Sequence, residues 1–290
     1  MKLDKIKGTI FGVATGDALG VTVETLTPEE IQNEYGTHKE ITGGGWLRCD
    51  PGEASDDTAM TVCLANSLIE CQGYDVYDAA DKYVGWMNTN PIDIGYTTIT
   101  ALMAVKNGKS PVASGLPAPT ASNGSAMRCS PIGIFYWKDA KKRQHYSKED
   151  SSITHANQLC ISACVLVNEL ISLALQGKTL QEMQKQASEL SIDGRLTGAL
   201  HQPTPLHKPT GYILDTLRAA FYALFTSKTF EETLIKAVNM GGDADTIGAI
   251  AGAIAGAYYG FESIPKRWTK KITIKKELEK ISKGLFELVK

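Results

Sequence analysis

The stretch DADTIGAIAGAIAGAYYG, residues 243–260, decides the fold of this chain. No charged residue occurs in residues 246–261, and glycine recurs at every fourth position, at Gly248, Gly252, Gly256 and Gly260. Residues four apart lie on one face of an α-helix, so these glycines form a ridge along which another backbone can approach closely. A membrane-spanning helix needs about 20 apolar residues. The shorter run, preceded by acids, favours a buried central helix of a soluble protein.

A second glycine series lies near the start of the chain. Its spacing is again four residues, with Gly8, Gly12, Gly16 and Gly20. We expect both glycine-ridged helices to lie in the core, where they could pack against one another. That arrangement would place Asp17, or the acidic residues that precede residue 246, near the middle of the molecule.

The remaining sequence shows helical rather than strand periodicity. Thr27-Pro28, followed by two glutamates, is typical of a helix start. Pro, Gly and Ser concentrate in residues 107–125 and 197–211, which we predict to be long loops. No shift in composition marks a domain boundary. We therefore predict one compact, mostly α-helical domain spanning residues 1–290, with helices that include residues 58–72, 156–177, 179–190, 211–227, 229–239 and 245–259.

The composition is that of an ordinary soluble globular protein. Hydrophobic residues make up 43% and charged residues 21%, with a net charge of −2. This balance gives no sign of nucleic-acid binding or of a membrane partner. The uncharged run at residues 8–16 is short for a signal peptide. None of the six cysteines forms a Cys-x-x-Cys motif, and Cys160 and Cys164 have the spacing of buried thiols. We expect a reducing, cytoplasmic location.

Two acidic clusters carry the chemistry: Ser55-Asp56-Asp57-Thr58 and Asp243-Ala244-Asp245-Thr246. Each cluster sets two carboxylates beside a hydroxyl at the start of a helix-like stretch. If the fold brings them together, four carboxylates share one pocket, which repulsion makes untenable without cations. Magnesium and manganese prefer such oxygen ligands. The clusters therefore predict a two-metal hydrolytic centre.

Helix capping is the alternative interpretation of these clusters. Ser, Thr and Asp are preferred N-cap residues, and acids in the first turn suit the helix dipole. A cap needs one acceptor, however, whereas each cluster supplies at least three oxygen-bearing side chains. The second cluster also follows Gly241-Gly242, which permits close backbone approach, and precedes a helix too apolar for the surface. The two roles are compatible, because one carboxylate can cap while its neighbour binds metal.

Two further features could bind substrate. The turn Asn123-Gly124-Ser125 can present successive backbone N–H groups, a nest suited to a diphosphate, although a plain surface turn fits equally well. His155 could hydrogen-bond a ribose hydroxyl or could be a structural histidine. No spacing proposes a covalent nucleophile.

Taken in order, these motifs resemble the ADP-ribosylglycohydrolase family, which includes the dinitrogenase reductase-activating glycohydrolases. The resemblance runs nearly end to end. The motifs that carry it are Gly16-Asp17-Ala18-Leu19-Gly20, Glu24, Gly44-Gly45-Trp46, Pro51 to Thr58, Asp93-Ile94-Gly95, Asn123 to Arg128, Thr154-His155, Gly211-Tyr212 and Gly241 to Ala249.

The resemblance implies an all-α fold, an orthogonal helical bundle with two divalent cations, Mg²⁺ or Mn²⁺, in a central cleft. It also implies the roles of individual residues. The metal ligands would be Ser55, Asp56, Asp57, Asp243, Asp245 and Thr246. The catalytic residues would be Asp56, Asp57 and Glu24. The substrate-binding residues would be Asp93, Asn123, Gly124, Ser125, Met127, His155 and Tyr212.

The implied activity is hydrolysis of the bond between the C1″ carbon of ADP-ribose and a side chain of a mono-ADP-ribosylated protein, with ADP-ribose as product. Arginine is the expected acceptor, and a monomer is the expected state. Tyr96 stands where many bacterial members have asparagine, so the acceptor side departs from the family pattern.

Several other activities stay open. The substrate could be O-acetyl-ADP-ribose, ADP-ribosyl-serine, an ADP-ribosylated nucleobase or a toxin-modified protein. The chain could also be a catalytically inactive ADP-ribose-binding relative. A two-metal phosphohydrolase acting on nucleotides would be revealed by release of AMP.

Overall fold

The computed structural model describes residues 3–190, 192–201 and 204–290, and within these ranges it contains α-helices and two short 3₁₀ helices but no β-strand. The predicted all-α fold is therefore confirmed. The α-helices are α1 (Leu3–Gly20), α2 (Pro28–Tyr35), α3 (Asp56–Glu70), α4 (Val76–Met87), α5 (Tyr96–Lys106), α6 (Ser130–Phe135), α7 (Ala140–Thr154), α8 (Gln158–Leu175), α9 (Leu180–Ser188), α10 (Gly194–His201), α11 (Ile213–Phe225), α12 (Phe230–Val238), α13 (Ala244–Tyr259), α14 (Lys266–Thr269) and α15 (Lys275–Val289).

The two glycine-ridged helices, α1 and α13, are buried and pack antiparallel against one another. A Cβ atom built on Gly12 would overlap the carbonyl oxygen of Gly252, and one built on Gly16 would overlap that of Gly248. Only backbone without side chains can come this close. The predicted pairing of these helices is confirmed, and it sets the end of α1 beside the start of α13.

The helices predicted from apolar periodicity are also confirmed, with ends that differ by a few residues. At the start of α2, the Thr27 hydroxyl accepts a hydrogen bond from Glu30 N at 3.2 Å, and Thr27 N donates to the Glu30 carboxylate at 2.7 Å. The loop predicted for residues 197–211 was wrong at its start, and residues 202 and 203 of it lie outside the described residues. Residues 197–201 belong to α10, which forms because Leu196, Ala199 and Leu200 share one buried face.

Helix α8 forms much of the core behind the site described below. In the described part of the chain it is the one helix long and apolar enough to cross a membrane by length and composition. However, 83% of it is buried inside the protein, as is typical of a core helix. Cys160 and Cys164 lie on α8 as buried free thiols, as predicted.

Candidate active site

A cleft of about 240 Å³ opens where α3, α5 and α13 begin and where the loop before α6 meets the end of α7. Helix N-termini carry partial positive charge, so three of them pointing toward one place favour anionic groups there. The lining residues come from distant parts of the sequence: Glu24, Asp56, Asp93, Gly95, Tyr96, Thr97, Thr98, Ser122, Asn123, Gly124, Met127, His155, Asp243, Asp245 and Thr246.

The carboxylates of the first acidic cluster do not cap α3. Ser55 occupies the N-cap position and accepts a hydrogen bond from Asp57 N at 3.4 Å. The fully buried Asp17 of α1 accepts hydrogen bonds from Thr58 N at 3.0 Å and from the Thr58 hydroxyl at 2.6 Å. The helix start is thus satisfied by Ser55 and Asp17, which leaves the Asp56 and Asp57 side chains available.

The second cluster is also more than a cap. Asp243 stands at the N-cap position of α13 but makes no side-chain capping hydrogen bond. Its carboxylate instead accepts a hydrogen bond from the Asn123 side-chain amide. Asp245 Oδ1 accepts a hydrogen bond from Thr246 N at 2.8 Å. Capping alone therefore does not explain these acids.

The two clusters meet at Asp57. The Thr246 hydroxyl donates a hydrogen bond to Asp57 Oδ2 at 3.3 Å, and the Ser55 hydroxyl lies at the same distance from that oxygen. The other oxygen, Asp57 Oδ1, is buried and has no hydrogen-bond partner among the described residues. A buried carboxylate oxygen without a donor is costly. A cation ligand at this position would remove that cost.

Burial and crowding make this a site of strong carboxylate repulsion. Burial is the largest cause of each raised carboxyl pKa in the cleft. Neighbouring carboxylates raise the pKa further for Glu24, Asp56, Asp57 and Asp245. The pKa of Glu24 rises to about 8. The pKa is raised above its ordinary value for each of these acids: Asp17, Glu24, Asp56, Asp57, Asp93, Asp243 and Asp245.

The donor set fits hard divalent cations. Oxygen atoms of Glu24, Asp243 and Asp245 all lie within 4.8 Å of one another. Carboxylate and hydroxyl oxygens at such spacing are the ligands that magnesium and manganese prefer. Together with the unpartnered oxygen of Asp57, this geometry fits the metal centre that the sequence predicts.

The loop at residues 123–127 forms a compact turn on one wall of the cleft. Asn123 O accepts hydrogen bonds from Ala126 N at 2.8 Å and from Met127 N at 3.2 Å. In the described structure no acceptor takes the N–H groups of Gly124 and Ser125, as an anion-binding nest requires. Ser125 is fully buried and lines no part of the cleft, and its hydroxyl accepts a hydrogen bond from Ser151 at 2.9 Å, so Ser125 could bind a ligand only through its backbone.

The remaining predicted residues lie at different depths. His155 is buried in the cleft wall, with Nε2 3.0 Å from the Ser122 hydroxyl. Asp93 lines the mouth of the cleft. Tyr212 does not line the cleft. It pairs through its backbone with Ser122 and its side chain is 38% exposed, which places it at the rim.

Sequence reasoning missed several residues of the site. Ser122 and Thr97 line the cleft and are hydrogen-bonded to each other at 3.1 Å. Trp46, which the sequence marks only as part of a motif, donates from Nε1 to Glu24 Oε2 at 2.5 Å. The position of Ser122 next to the Asn123 turn was the available signal for that residue. Thr97 lies in α5, where a run of Thr and Ile concealed the helix.

Comparison with known proteins agrees with this geometry. The family model described as ADP-ribosylglycohydrolase matches residues 1–290. The chain is 35% identical to the ADP-ribosyl-[dinitrogen reductase] glycohydrolase of Rhodospirillum rubrum, over 95% of this chain and 92% of that protein. It is 31% identical to the ADP-ribosylarginine hydrolase Tri1 of Serratia proteamaculans, over 98% and 79%.

More distant relatives and a solved structure point the same way. The mouse ADP-ribosylhydrolase ARH3 is 26% identical over 92% of this chain and 86% of that protein. A solved ADP-ribosylglycohydrolase-related protein complex superposes with a TM-score of 0.89, at 31% identity and over 99% of both chains. This chain therefore belongs to the ADP-ribosylglycohydrolase family of hydrolases.

Proposed function

We propose that this enzyme removes ADP-ribose from an arginine side chain of a mono-ADP-ribosylated protein by hydrolysing the C1″ glycosidic bond. The observation that carries the proposal is the convergence of both acidic clusters, the turn at residues 123–127 and His155 in one cleft. Two relatives above 30% identity are named for a dinitrogen reductase conjugate and for ADP-ribosylarginine, which supports arginine as the acceptor.

Two divalent cations, Mg²⁺ or Mn²⁺, would be held by residues of both acidic clusters. Bound there, they would orient the ribose diol and polarise a water molecule. Glu24 would join this group, since its carboxylate lies near those of Asp243 and Asp245. The proposed ligands are Ser55, Asp56, Asp57, Asp243, Asp245 and Thr246.

In the proposed reaction, Asp56 takes a proton from the attacking water, because its side chain lines the cleft whereas Asp57 lies beneath it. The water oxygen forms a bond to C1″ as the bond from C1″ to the guanidine nitrogen breaks. The proton passes to the departing guanidine. The surrounding carboxylates stabilise the positive charge that develops on the ribose.

The turn and His155 would hold the rest of ADP-ribose. The N–H groups of Gly124 and Ser125 would bind the diphosphate, because successive backbone donors form a concave anion site. His155 and Tyr212 would contact the ribose and the adenine. Asn123 connects this part of the site to the metal centre, since its amide donates to Asp243 and to Thr216 Oγ1, the latter at 2.9 Å.

The acceptor would lie on the other side of Asp93. A groove adjoins the cleft there and shares both Asp56 and Asp93 with it. Its other walls include Glu53 and the indole of Trp86. Carboxylates beside an aromatic face suit a guanidinium, which forms bidentate hydrogen bonds and stacks on rings.

The test measures free ADP-ribose released from arginine- and serine-ADP-ribosylated peptides and from O-acetyl-ADP-ribose, with Mg²⁺, Mn²⁺ or EDTA. We expect metal-dependent release from the arginine peptide, lost in Asp56→Asn and in Asp245→Asn. Preferred release from another conjugate would reassign the substrate. Binding of ADP-ribose without release from any conjugate would indicate an inactive relative, and release of AMP would indicate a phosphohydrolase.

A further inference from the structure

We propose that Thr154 is a positioning residue that holds His155 as the tautomer with its proton on Nε2, which orders the Ser122 and Thr97 hydroxyls so that Thr97 can donate into the cleft. The proposal rests on the proposed function only in naming ADP-ribose as the ligand that meets these donors. A continuous series of hydrogen bonds runs from a buried arginine to the cleft wall.

The series begins at Arg128, whose guanidinium is fully buried. Its Nε donates to Asp150 Oδ2 at 3.3 Å and its Nη2 donates to Asp150 O at 3.0 Å. Its Nη1 donates to the Thr154 hydroxyl at 2.9 Å and to Gly124 O at 3.3 Å. Burial opposes the charge, but Tyr83 and Asp150 raise the pKa of Arg128 above its ordinary value, so it stays cationic.

The direction of the next step follows from what each group can donate. A guanidinium has donors only, so Thr154 Oγ1 must accept from Arg128 and keeps one proton to give. His155 Nδ1 lies 2.7 Å from that oxygen. Were Nδ1 protonated, the buried Thr154 hydroxyl would have no acceptor for its proton anywhere in the described residues. Nδ1 therefore accepts, and the ring proton resides on Nε2.

The Nε2 proton then sets the remaining hydroxyls. His155 Nε2–H donates to Ser122 Oγ at 3.0 Å, and the Ser122 hydroxyl donates to Thr97 Oγ1 at 3.1 Å. Thr97 lines the cleft, so its own hydroxyl proton is available to a ligand. Burial, followed by the charge of Arg128, lowers the pKa of His155 to about 3, which agrees with a ring carrying a single proton.

The same arginine also fixes the turn that faces this histidine. Arg128 binds Gly124 O, and a Cβ on Gly124 would lie 2.9 Å from His155 Cε1, so the ring packs directly on the turn. One buried cation thus organises a wall of the cleft on which the Thr97 hydroxyl and the backbone N–H groups of the turn are the donors left for a ligand. Such a wall suits the phosphate and ribose oxygens of ADP-ribose.

The decisive experiment is a long-range ¹H–¹⁵N NMR spectrum of protein labelled at histidine, which reports the tautomer without any ligand. Wild type should show His155 protonated on Nε2. Thr154→Val, which keeps the shape but lacks the donor, should show a mixture of tautomers or the Nδ1-protonated form. Thr154→Ser should restore the wild-type spectrum. Thr233→Val removes another buried hydroxyl, on α12, and should leave the tautomer of His155 unchanged.

Calorimetry of ADP-ribose binding supplies the functional readout. We expect Thr154→Val to bind ADP-ribose about tenfold more weakly than wild type and Thr154→Ser to bind it within about twofold of wild type. In activity measurements Thr154→Val should change KM more than kcat. A wild-type spectrum with Nδ1 protonated, or an unchanged tautomer in Thr154→Val, would overturn the proposal. If wild type shows the Nε2 tautomer but binds no ADP-ribose, the tautomer assignment stands and the proposed function fails.

Discussion

Trp46 Nε1 lies 2.5 Å from Glu24 Oε2, so an indole that is itself 55% exposed holds a carboxylate of the acidic cleft. Trp46 follows three glycines, Gly43, Gly44 and Gly45, all of which have positive φ. At Gly45 a side chain would collide with the carbonyl of Val21, so this turn brings the indole close to the end of α1. Glu24 is thereby oriented from outside the cleft by a residue that lines no part of it.

Replacing Trp46 should weaken cation binding. Trp46→Phe keeps a ring but removes the donor that orients Glu24, which we propose to bind metal beside Asp243 and Asp245. Loss of an outer hydrogen bond to a metal ligand costs about 10- to 100-fold in affinity. We expect at least a tenfold rise in the Mg²⁺ concentration that supports half-maximal activity. Trp137→Phe is the matched control, since its indole donates to Val289 O far from the cleft. An equal rise in this Mg²⁺ concentration in both variants would contradict the role assigned to Trp46.

Neutralising Asp57 should stabilise the metal-free protein while abolishing its response to metal. Asp57 Oδ1 is buried without a partner, and burial raises the pKa of this group well above its ordinary value. Removing an uncompensated buried charge relieves about 1 kcal/mol or more, or a rise in Tm of about 2–4 °C. We therefore expect a higher Tm for Asp57→Asn in EDTA but no further rise with Mg²⁺.

The exposed Asp81 provides the control for this measurement. Asp81→Asn removes the same charge from the surface of α4, so its Tm should match wild type in EDTA and should still rise with Mg²⁺. If Asp57→Asn melts below wild type in EDTA, Asp57 stabilises the metal-free fold and repulsion is not its dominant contribution.

The metal-free protein should lose stability as the pH rises. Burial raises the pKa of Glu24 to about 8, so the folded state holds this proton more tightly than the unfolded state does. The resulting stabilisation is complete below the unfolded pKa of about 4.3 and is lost as the pH rises through about 8. We expect Tm in EDTA to fall between pH 5 and pH 8, measured by calorimetry.

Two comparisons isolate the cause of that fall. Glu24→Gln removes one of the carboxyl groups whose pKa is raised, and it should reduce the slope of Tm against pH. Saturating Mg²⁺ should reduce it further, because bound cations favour the ionised carboxylates. A Tm that rises with pH in EDTA would show that other titrating groups outweigh the cleft.

Much of the fold follows from the spacing of small and apolar residues. The glycines at every fourth position in α1 and α13 predicted their close contact, since only glycine backbones can meet face to face. Helices α5 and α7 lacked such a signal. Helix α5 carries Thr and Ile, which are common in strands, and α7 is mostly polar with few apolar residues to show a period.

The site, like the fold, has some features that the sequence predicts and others that it does not. Repeated clusters of oxygen-bearing side chains predicted a shared acidic pocket if the fold brings them together, because acids at a buried helix start need a partner. The structure shows that the clusters do meet, at Asp57. The hydrogen bonds of Asp17 to α3 and of Trp46 to Glu24 join segments far apart in sequence. Neither has a local pattern, since a single side chain that reaches across the fold leaves no periodic trace.

The close packing of α1 on α13 should make its glycines intolerant of any side chain. Gly252→Ala places a methyl group against the carbonyl of Gly12, and the two helices must separate to admit it. Overpacking of this kind costs about 1–3 kcal/mol or more. Gly85→Ala on α4, where a Cβ meets nothing within 4 Å, should instead stabilise by about 0.5–1 kcal/mol. Urea denaturation measures both, and similar effects would contradict the close contact.

Replacing Asp93 should slow the release of ADP-ribose from the arginine acceptor more than it weakens the binding of free ADP-ribose. It lies between the cleft and the groove that we assign to the acceptor, and its carboxylate is the group placed to meet a guanidinium. Asp93→Asn keeps the shape and removes the charge. A charge-assisted hydrogen bond contributes about 1.5–3 kcal/mol, so kcat/KM for the arginine peptide should fall about 10- to 100-fold.

The affinity for free ADP-ribose separates this role from general damage to the cleft. ADP-ribose has no guanidine, so Asp93→Asn should bind it within about twofold of wild type. Asp50→Asn removes an exposed acid that lines neither the cleft nor the groove, and it should leave both quantities unchanged. If Asp93→Asn weakens ADP-ribose binding as much as it slows release, then Asp93 acts on the ADP-ribose side of the bond, and the acceptor must approach from another direction.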